Sequence, residues 1–122
     1  MSFLPAVRRE IANRQPNDPI RLTLEYLIQH GIGHRNPVST SVIVQHLNNN
    51  GIQISKEIFQ QTVLATSRGA DYFIGSGNRG CFLIDTVDDA RVMQHFYSTR
   101  ISKEQRNLNN LSRQANIVGW TI

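Results

Sequence analysis

The side chains of this chain best equipped for recognition chemistry lie between Ser55 and Asp85. At about 100° per residue, Lys56, Glu57, Gln60, Gln61, Ser67 and Arg68 fall on one side of a helical wheel over residues 55–68. Glutamine pairs well with adenine edges, and lysine or arginine with guanine edges, in a DNA major groove. A solvated helix face has the same composition, so the face must be weighed with its surroundings. Leu64 is out of place, since it falls amid the polar residues. Further on, Arg79 sits in Gly75-Ser76-Gly77-Asn78-Arg79-Gly80, where a long side chain on a turn can reach a phosphate or a minor groove. Upstream, Arg35, Ser39, Thr40 and Ser41 gather where a helix begins, and free N–H groups and hydroxyls there suit a phosphate. Plain capping accounts for at least one of these three hydroxyls.

Other chemistry finds less support. The glycine-rich hexapeptide lacks the Lys-Ser/Thr of a phosphate-binding P-loop and the helix that should follow it. His30 and His34 are four apart, but Gly31 and Gly33 interrupt any helix between them. His46, Cys81 and His95 have no ligand spacing with them, so no metal site is expected. Asp88 and Asp89 suit the positive end of a helix better than a catalytic pair. No nucleophile and base can be argued from spacing. The chain is therefore expected not to be an enzyme and to need no cofactor.

The elements that would position these residues can be read in order. Residues 1–17 carry Arg8, Arg9 and Arg14 among Phe3, Leu4, Val7 and Ile11, which suits either a basic arm along DNA or a short helix packed on the body. The apolar residues need cover, which favours the helix. Asp18 as N-cap and Pro19 at the first helical position start the next helix. Its main stripe is Ile20, Leu24, Leu27 and Ile28, and Gly31 closes it. A further helix runs from the Ser39–Ser41 cap through Leu47 to Gly51. Ile52-Gln53-Ile54 reads as an extended link that can pair as the third strand of a small sheet.

Ser55 then caps a third helix, with Ile58, Phe59, Thr62, Val63, Ala65 and Thr66 on its apolar side and Gly69 at its C′ position. Asp71–Ile74 and Cys81–Ile84 flank the glycines as two strands of a hairpin with a long tip. Cys81 in an apolar strand reads as a buried, inert thiol. Thr86 with Asp89 three positions on forms a partial capping box for a last helix. Along it Ala90, Met93, Tyr97, Ile101, Glu104, Leu108, Leu111 and Ala115 recur at spacings of three and four, a heptad-like seam. Met93, Tyr97, Ile101, Leu108 and Leu111 are the candidate dimerisation residues. The same seam can instead pack the helix against its own domain. Ile117, Val118, Trp120 and Ile122 end the chain as an apolar tail that wants burial or a partner.

The expected fold is mainly α with a small β-hairpin (α+β). The stretch VSTSVIVQHLNNNGIQISKEIFQQTVLATSRGADYFIGSGNRGCFLID resembles the winged helix-turn-helix superfamily, through the order helix, helix, recognition helix, strand, wing, strand. The resemblance covers about residues 18–86, leaving residues 1–17 as an arm or short helix and residues 87–122 as a dimerising helix with its tail. GNRGCFLIDTVDDARVMQHFYSTR is also similar to small proteins of bacteriophages and mobile elements. The superfamily resemblance implies DNA binding in most members; together with the heptad-like seam it leads to the expectation of a homodimer that binds double-stranded DNA and regulates transcription or replication. Some members bind proteins only, which leaves an interaction module, such as a phage-encoded inhibitor of a host complex, as the alternative. Leu64 and the C-terminal tail would then meet the protein partner.

Composition sets the outer bounds. The chain has 122 residues, 39% of them hydrophobic, and a formal net charge of +4, with a pI near 9.8. Lysine occurs only at 56 and 103, so arginine, the better fork for phosphates, supplies most of the positive charge. A mild basic excess fits nucleic acid without requiring it. The single cysteine excludes an internal disulfide and fits a reducing, cytoplasmic setting. No apolar run reaches membrane-spanning length, and no secretory leader is apparent at the N-terminus.

Overall fold

The computed structural model describes residues 2–121. The protein is mainly helical with one two-stranded antiparallel hairpin and a long last helix. The chain divides into two compact units, one up to Ala90 and one from Arg91 on, so the boundary falls inside the last helix.

The first unit opens with α1 (Leu4–Asn13), so the N-terminal segment is a helix and not an extended arm. Val7 is buried and Leu4 and Ile11 pack partly against the core. Two of the basic side chains here are spent on ion pairs. Arg14 bonds Glu10 at 2.7 Å and Asp18 at 3.0 Å. Arg21 bonds Glu25 at 2.7 Å and donates to the Arg14 carbonyl. Helix α2 (Pro19–His30) starts as expected, with the Asp18 carboxylate accepting from the N–H of Ile20 and Arg21. Ile20, Leu24 and Leu27 are buried, as is Thr23, whose hydroxyl is satisfied by the Pro19 carbonyl at 2.8 Å. Ile28 and Leu22 are only partly covered. Tyr26 is held between His30 and His46, with ring centroids 4.5 Å from each.

Helix α3 (Thr40–Asn49) is capped by Ser39, which accepts from the Val42 N–H. Ile43 and Leu47 point into the core. Residues 52–54 do not form the third strand of the sheet. Their backbone is used locally, the Ile52 N–H on the Leu47 carbonyl and the Ile54 N–H on the Asn48 side chain. The loop between α2 and α3 takes that place. Val38 exchanges both backbone hydrogen bonds with Cys81 (2.7 and 2.8 Å), and the Gly31–Gly33 backbone bonds Leu83.

The third helical segment is composite. A first turn, α4 (Lys56–Ile58), follows the Ser55 cap. A π-helical stretch spans Phe59–Leu64, and α5 (Ala65–Ala70) completes it. Gly69 lies inside α5 rather than after it, and the left-handed turn falls on Tyr72 (φ 55°). The N–H groups of Asp71 and Tyr72 both donate to the Ser67 carbonyl, which closes the helix end.

The hairpin is β1 (Ile74–Gly77) and β2 (Gly80–Leu83), in register Ile74 with Leu83 and Gly77 with Gly80. The first strand begins later than expected, the second begins one residue earlier, and the tip is shorter, since only Asn78 and Arg79 remain outside the ladder. Two glycines explain how the strands come so close to their neighbours. A Cβ on Gly80 (φ +125°) would lie 2.1 Å from the Val38 carbonyl oxygen, and one on Gly75 would lie 2.6 Å from the Phe82 ring. One core joins these elements through Val7, Leu24, Leu27, Ile43, Leu47, Phe59, Val63, Leu64, Ile74 and Leu83.

Helix α6 (Val87–Ile117) starts on the expected capping box. The Asp89 carboxylate accepts from the Thr86 N–H, and the Thr86 hydroxyl accepts from the Asp89 N–H. In the second unit residues 98–111 are all exposed. The helix stops by a Schellman-type closure: the Trp120 N–H reaches the Ala115 carbonyl at 2.8 Å, the Gly119 N–H reaches Asn116, and Gly119 takes φ +82°. That closure usually sets the residue after the glycine against the third-last helical residue, and Ala115 is indeed buried. Ile122 of the apolar tail lies outside the described residues. No helix among the described residues is long and apolar enough to cross a membrane.

Candidate nucleic-acid interface

The π-helical turn decides which residues of the third helical segment can meet a ligand. In an α-helix residues three and four apart share a face. The i→i+5 bonding of a π turn brings residues five apart into line instead. Phe59 and Leu64 are five apart, and both are buried, at 0% and 3% exposure. Leu64 is therefore a core residue and not an exposed apolar spot on a polar face. The shift carries Ser67 inward with it, to 6% exposure. Ser67 is thereby withdrawn from the set of candidate base contacts. Ile58, Thr62, Ala65 and Thr66, expected inside, are exposed. The Thr62 hydroxyl donates to the Ile58 carbonyl at 2.6 Å within the wide turn.

Lys56, Gln60 and Gln61 precede or fall early in the shift and stay exposed on the outer face. Arg68 does not join them. It is half-buried, its guanidinium donates to the Ser76 hydroxyl of β1, and its Nε is buried with no hydrogen-bond partner among the described residues. Arg68 thus ties the end of the composite helix to the hairpin. Arg79 is exposed at the two-residue tip.

At the start of α3, Arg35 and Ser41 are exposed and Ser39 is the exposed cap. Thr40 is half-buried, with its hydroxyl in hydrogen-bonding reach of the Cys81 thiol. Burial pushes the Cys81 thiol up from its usual value, against the smaller opposing effects of Thr40 and the nearby Arg68 charge. The thiol is accordingly protonated and inert at neutral pH. Of the ten candidate contacts, Lys56, Gln60, Gln61, Arg79, Arg35, Ser39 and Ser41 are open to a ligand. Thr40, Ser67 and Arg68 serve the interior.

Comparison with protein-family models, with characterised proteins and with solved structures finds no match to this chain. Its own surface is therefore the guide to what it does.

A second arrangement joins the α2–α3 loop to α6. Asp89, 2% exposed, accepts from the backbone N–H groups of His34, Asp85 and Thr86, and its Oδ1 lies 2.5 Å from His34 Nδ1. Burial would raise the carboxyl's pKa, but these hydrogen bonds, led by those of His34, outweigh it and hold the group well below the usual carboxylate range. A shallow cleft lies over the pair, lined in part by Arg35, Asn36 and Asp88. No sequence spacing could have paired residues 34 and 89. The arrangement is a structural clamp, since Asp89 holds the His34 backbone and ring of the loop on one side and the Asp85 and Thr86 N–H groups at the start of α6 on the other. Among the described residues no group of three or more histidine, cysteine or acidic side chains can hold a metal.

Charge separates the two units. Before Arg91 there are eight basic and eight acidic residues, and from Arg91 on there are five basic residues and one acidic. The whole formal excess of +4 thus belongs to the second unit. In that unit the seam residues differ in cover. Met93 is buried and Tyr97 half-buried, whereas Ile101, Leu108 and Leu111 are 67%, 55% and 60% exposed.

Proposed function

We propose that this chain is a sequence-specific double-stranded DNA-binding protein of winged-helix type that works as a homodimer and regulates transcription or replication. The observation that carries the reading is the composite third helix, which buries Phe59, Val63 and Leu64 and turns Lys56, Gln60 and Gln61 outward, followed at once by a hairpin tipped with Arg79. Gln60 and Gln61 would read adenine edges and Lys56 a guanine edge in the major groove. Arg79 would hold the flanking backbone or minor groove. Arg35 and the hydroxyls of Ser39 and Ser41 would meet a phosphate at the start of α3. Exposure of Ile101, Leu108 and Leu111 on one seam supports pairing of two copies through α6. Two copies would read half-sites one helical turn apart, about 34 Å.

The test is selection from a randomised duplex pool, with wild type and variants at two salt concentrations. Gln60→Ala or Gln61→Ala should relax base choice, since one bidentate contact supplies about 1–3 kcal/mol of discrimination. Arg79→Ala should weaken binding to every sequence. A wild type that enriches no sequence would end this reading.

The alternative is a protein-interaction module. It is favoured by the zero net charge of the first unit and by the exposed Ile117, Val118 and Trp120 at the end of α6. Leu64 has no part in it, being buried. Under that reading Trp120→Asp abolishes partner binding, and no variant of the composite helix alters DNA affinity.

A further inference from the structure

We propose that the acid-free face of α6 in the second unit holds the phosphate backbone of a DNA duplex, and supplies most of the electrostatic attraction that the first unit lacks. The proposal rests on the DNA reading above in taking a duplex as ligand, and it locates the affinity where that reading locates only the base choice.

Charge and helical geometry carry it. At about 100° per residue, Arg91, His95, Arg106 and Arg113 fall within roughly 60° of one another, and Lys103 flanks them. All five are exposed. The one acid of this unit, Glu104, lies on the opposite side, among Tyr97, Ile101 and Leu108. From His95 to Arg113 the face is therefore a row of basic side chains with no acid between them, unlike the ordinary surface helix whose charges alternate in sign; Asp88, on the same arc three residues before Arg91, belongs to the first unit. Hydroxyls stand among these side chains, since Ser102 falls on the same arc and Thr99 on its flank. Along the axis Arg91 and Arg113 are about 33 Å apart at a rise of 1.5 Å per residue, close to one turn of B-DNA. Arginine suits this ligand because its fork meets phosphate oxygens two at a time.

The first unit cannot supply the same attraction. Its basic and acidic residues are equal in number, and Arg14 and Arg21 are committed to carboxylates. Counterion release scales with the phosphates neutralised, so most of the salt dependence of binding should follow α6, with the wing adding the smaller share of Arg79. The two faces of the helix then have different work: the apolar seam meets a second copy, and the cationic face meets phosphate.

The experiment compares the full-length wild type with the Lys103→Gln, Arg106→Gln, Arg113→Gln triple variant, using fluorescence anisotropy on a 30-base-pair duplex of arbitrary sequence across a salt series. Glutamine is a good helix former, and circular dichroism checks that the helix persists. Wild type should bind with affinity falling steeply in salt. The triple variant should bind about tenfold or more weakly at low salt, and its log–log salt slope should be shallower by about two to three, at about 0.9 for each phosphate left unneutralised. An Arg8→Gln, Arg9→Gln variant, which removes two exposed charges of the first unit, serves as the second arm and should keep both the slope and the non-specific affinity. If sequence choice fails while the triple variant still shows the shallower slope, the wing reading falls and this inference stands. An unchanged slope in the triple variant overturns the inference, as does a wild type that binds no duplex, or one that binds phosphatidylserine vesicles and no duplex.

Discussion

Asp89 shows how one side chain can lock a loop to a helix. Its carboxylate collects three backbone N–H groups and the His34 ring. Asp89→Asn keeps the shape but loses the charge behind those bonds, and should destabilise the protein by roughly 1–3 kcal/mol at pH 7. The pH dependence has a fixed sign. The folded pKa lies below the unfolded value of about 3.9, so the stabilisation is complete above that value and drains away as pH falls towards the folded one. The gap in denaturation midpoint between wild type and variant should therefore narrow as pH falls below about 4. A gap that stays constant down to about pH 2.5 would deny Asp89 its role. Gly80 is the second residue on which the fold turns. Alanine there must adopt φ near +125° and overlap the Val38 carbonyl. The backbone strain alone costs about 1–3 kcal/mol, so Gly80→Ala should fall beyond that range in chemical denaturation. A variant within about 0.5 kcal/mol of wild type, the span of an ordinary surface substitution, would mean that the loop strand does not press against β2.

At the scale of the element, the composite third helix matters most. Its wide turn places Leu64 inside with Phe59 and withdraws Ser67 from the surface. Truncating either large residue removes packed core, and Leu64→Ala should cost roughly 2–5 kcal/mol and Phe59→Ala roughly 3–5 kcal/mol. In a regular α-helix Leu64 would lie on the solvent side, and its truncation would change the thermal midpoint little. Large losses of similar size for both variants are expected from the π turn. The hairpin shows the same economy: with a two-residue tip and a third backbone partner in Val38, its glycines serve close approach within the sheet rather than a long mobile wing.

At the scale of the whole molecule, the chain carries an exposed apolar seam on a helix that is solvated from residue 98 to 111. Most helical stability in proteins comes from packing of an amphipathic face, which the proposed pairing of two copies would supply. Replacing Leu108 and Leu111 by lysine should abolish self-association, because two ammonium groups cannot be buried in a seam without counter-charges. Sedimentation should report a dimer for wild type and a monomer for the double variant, with the first unit still folded by near-ultraviolet circular dichroism. Identical masses for the two proteins would remove the seam from the assembly.

The sequence by itself determined the helices that have strong local signals. Asp18-Pro19, Ser39, Ser55 and the Thr86/Asp89 box each mark a helix start, because a cap joins residues two or three apart. It also determined the mainly helical class and the hairpin, through 3.6-residue periodicity and glycine placement. Only the tertiary structure decided the rest. Wheel arithmetic assumes about 100° at every step, so a single wide turn misplaced Leu64 and Ser67 together. No third strand formed: the backbone beside β2 is bridged by Val38 and not by residues 52–54, since backbone pairing is chosen by what the packed core brings alongside and not by extended character. Arg68 and Thr40 look like ligand contacts in a linear reading, but Ser76 and Cys81, both outside their own helices, claim them. The charge imbalance between the units was present in the letters throughout. It acquired meaning only when folding divided the chain at Ala90 and left the cationic half as one exposed helix.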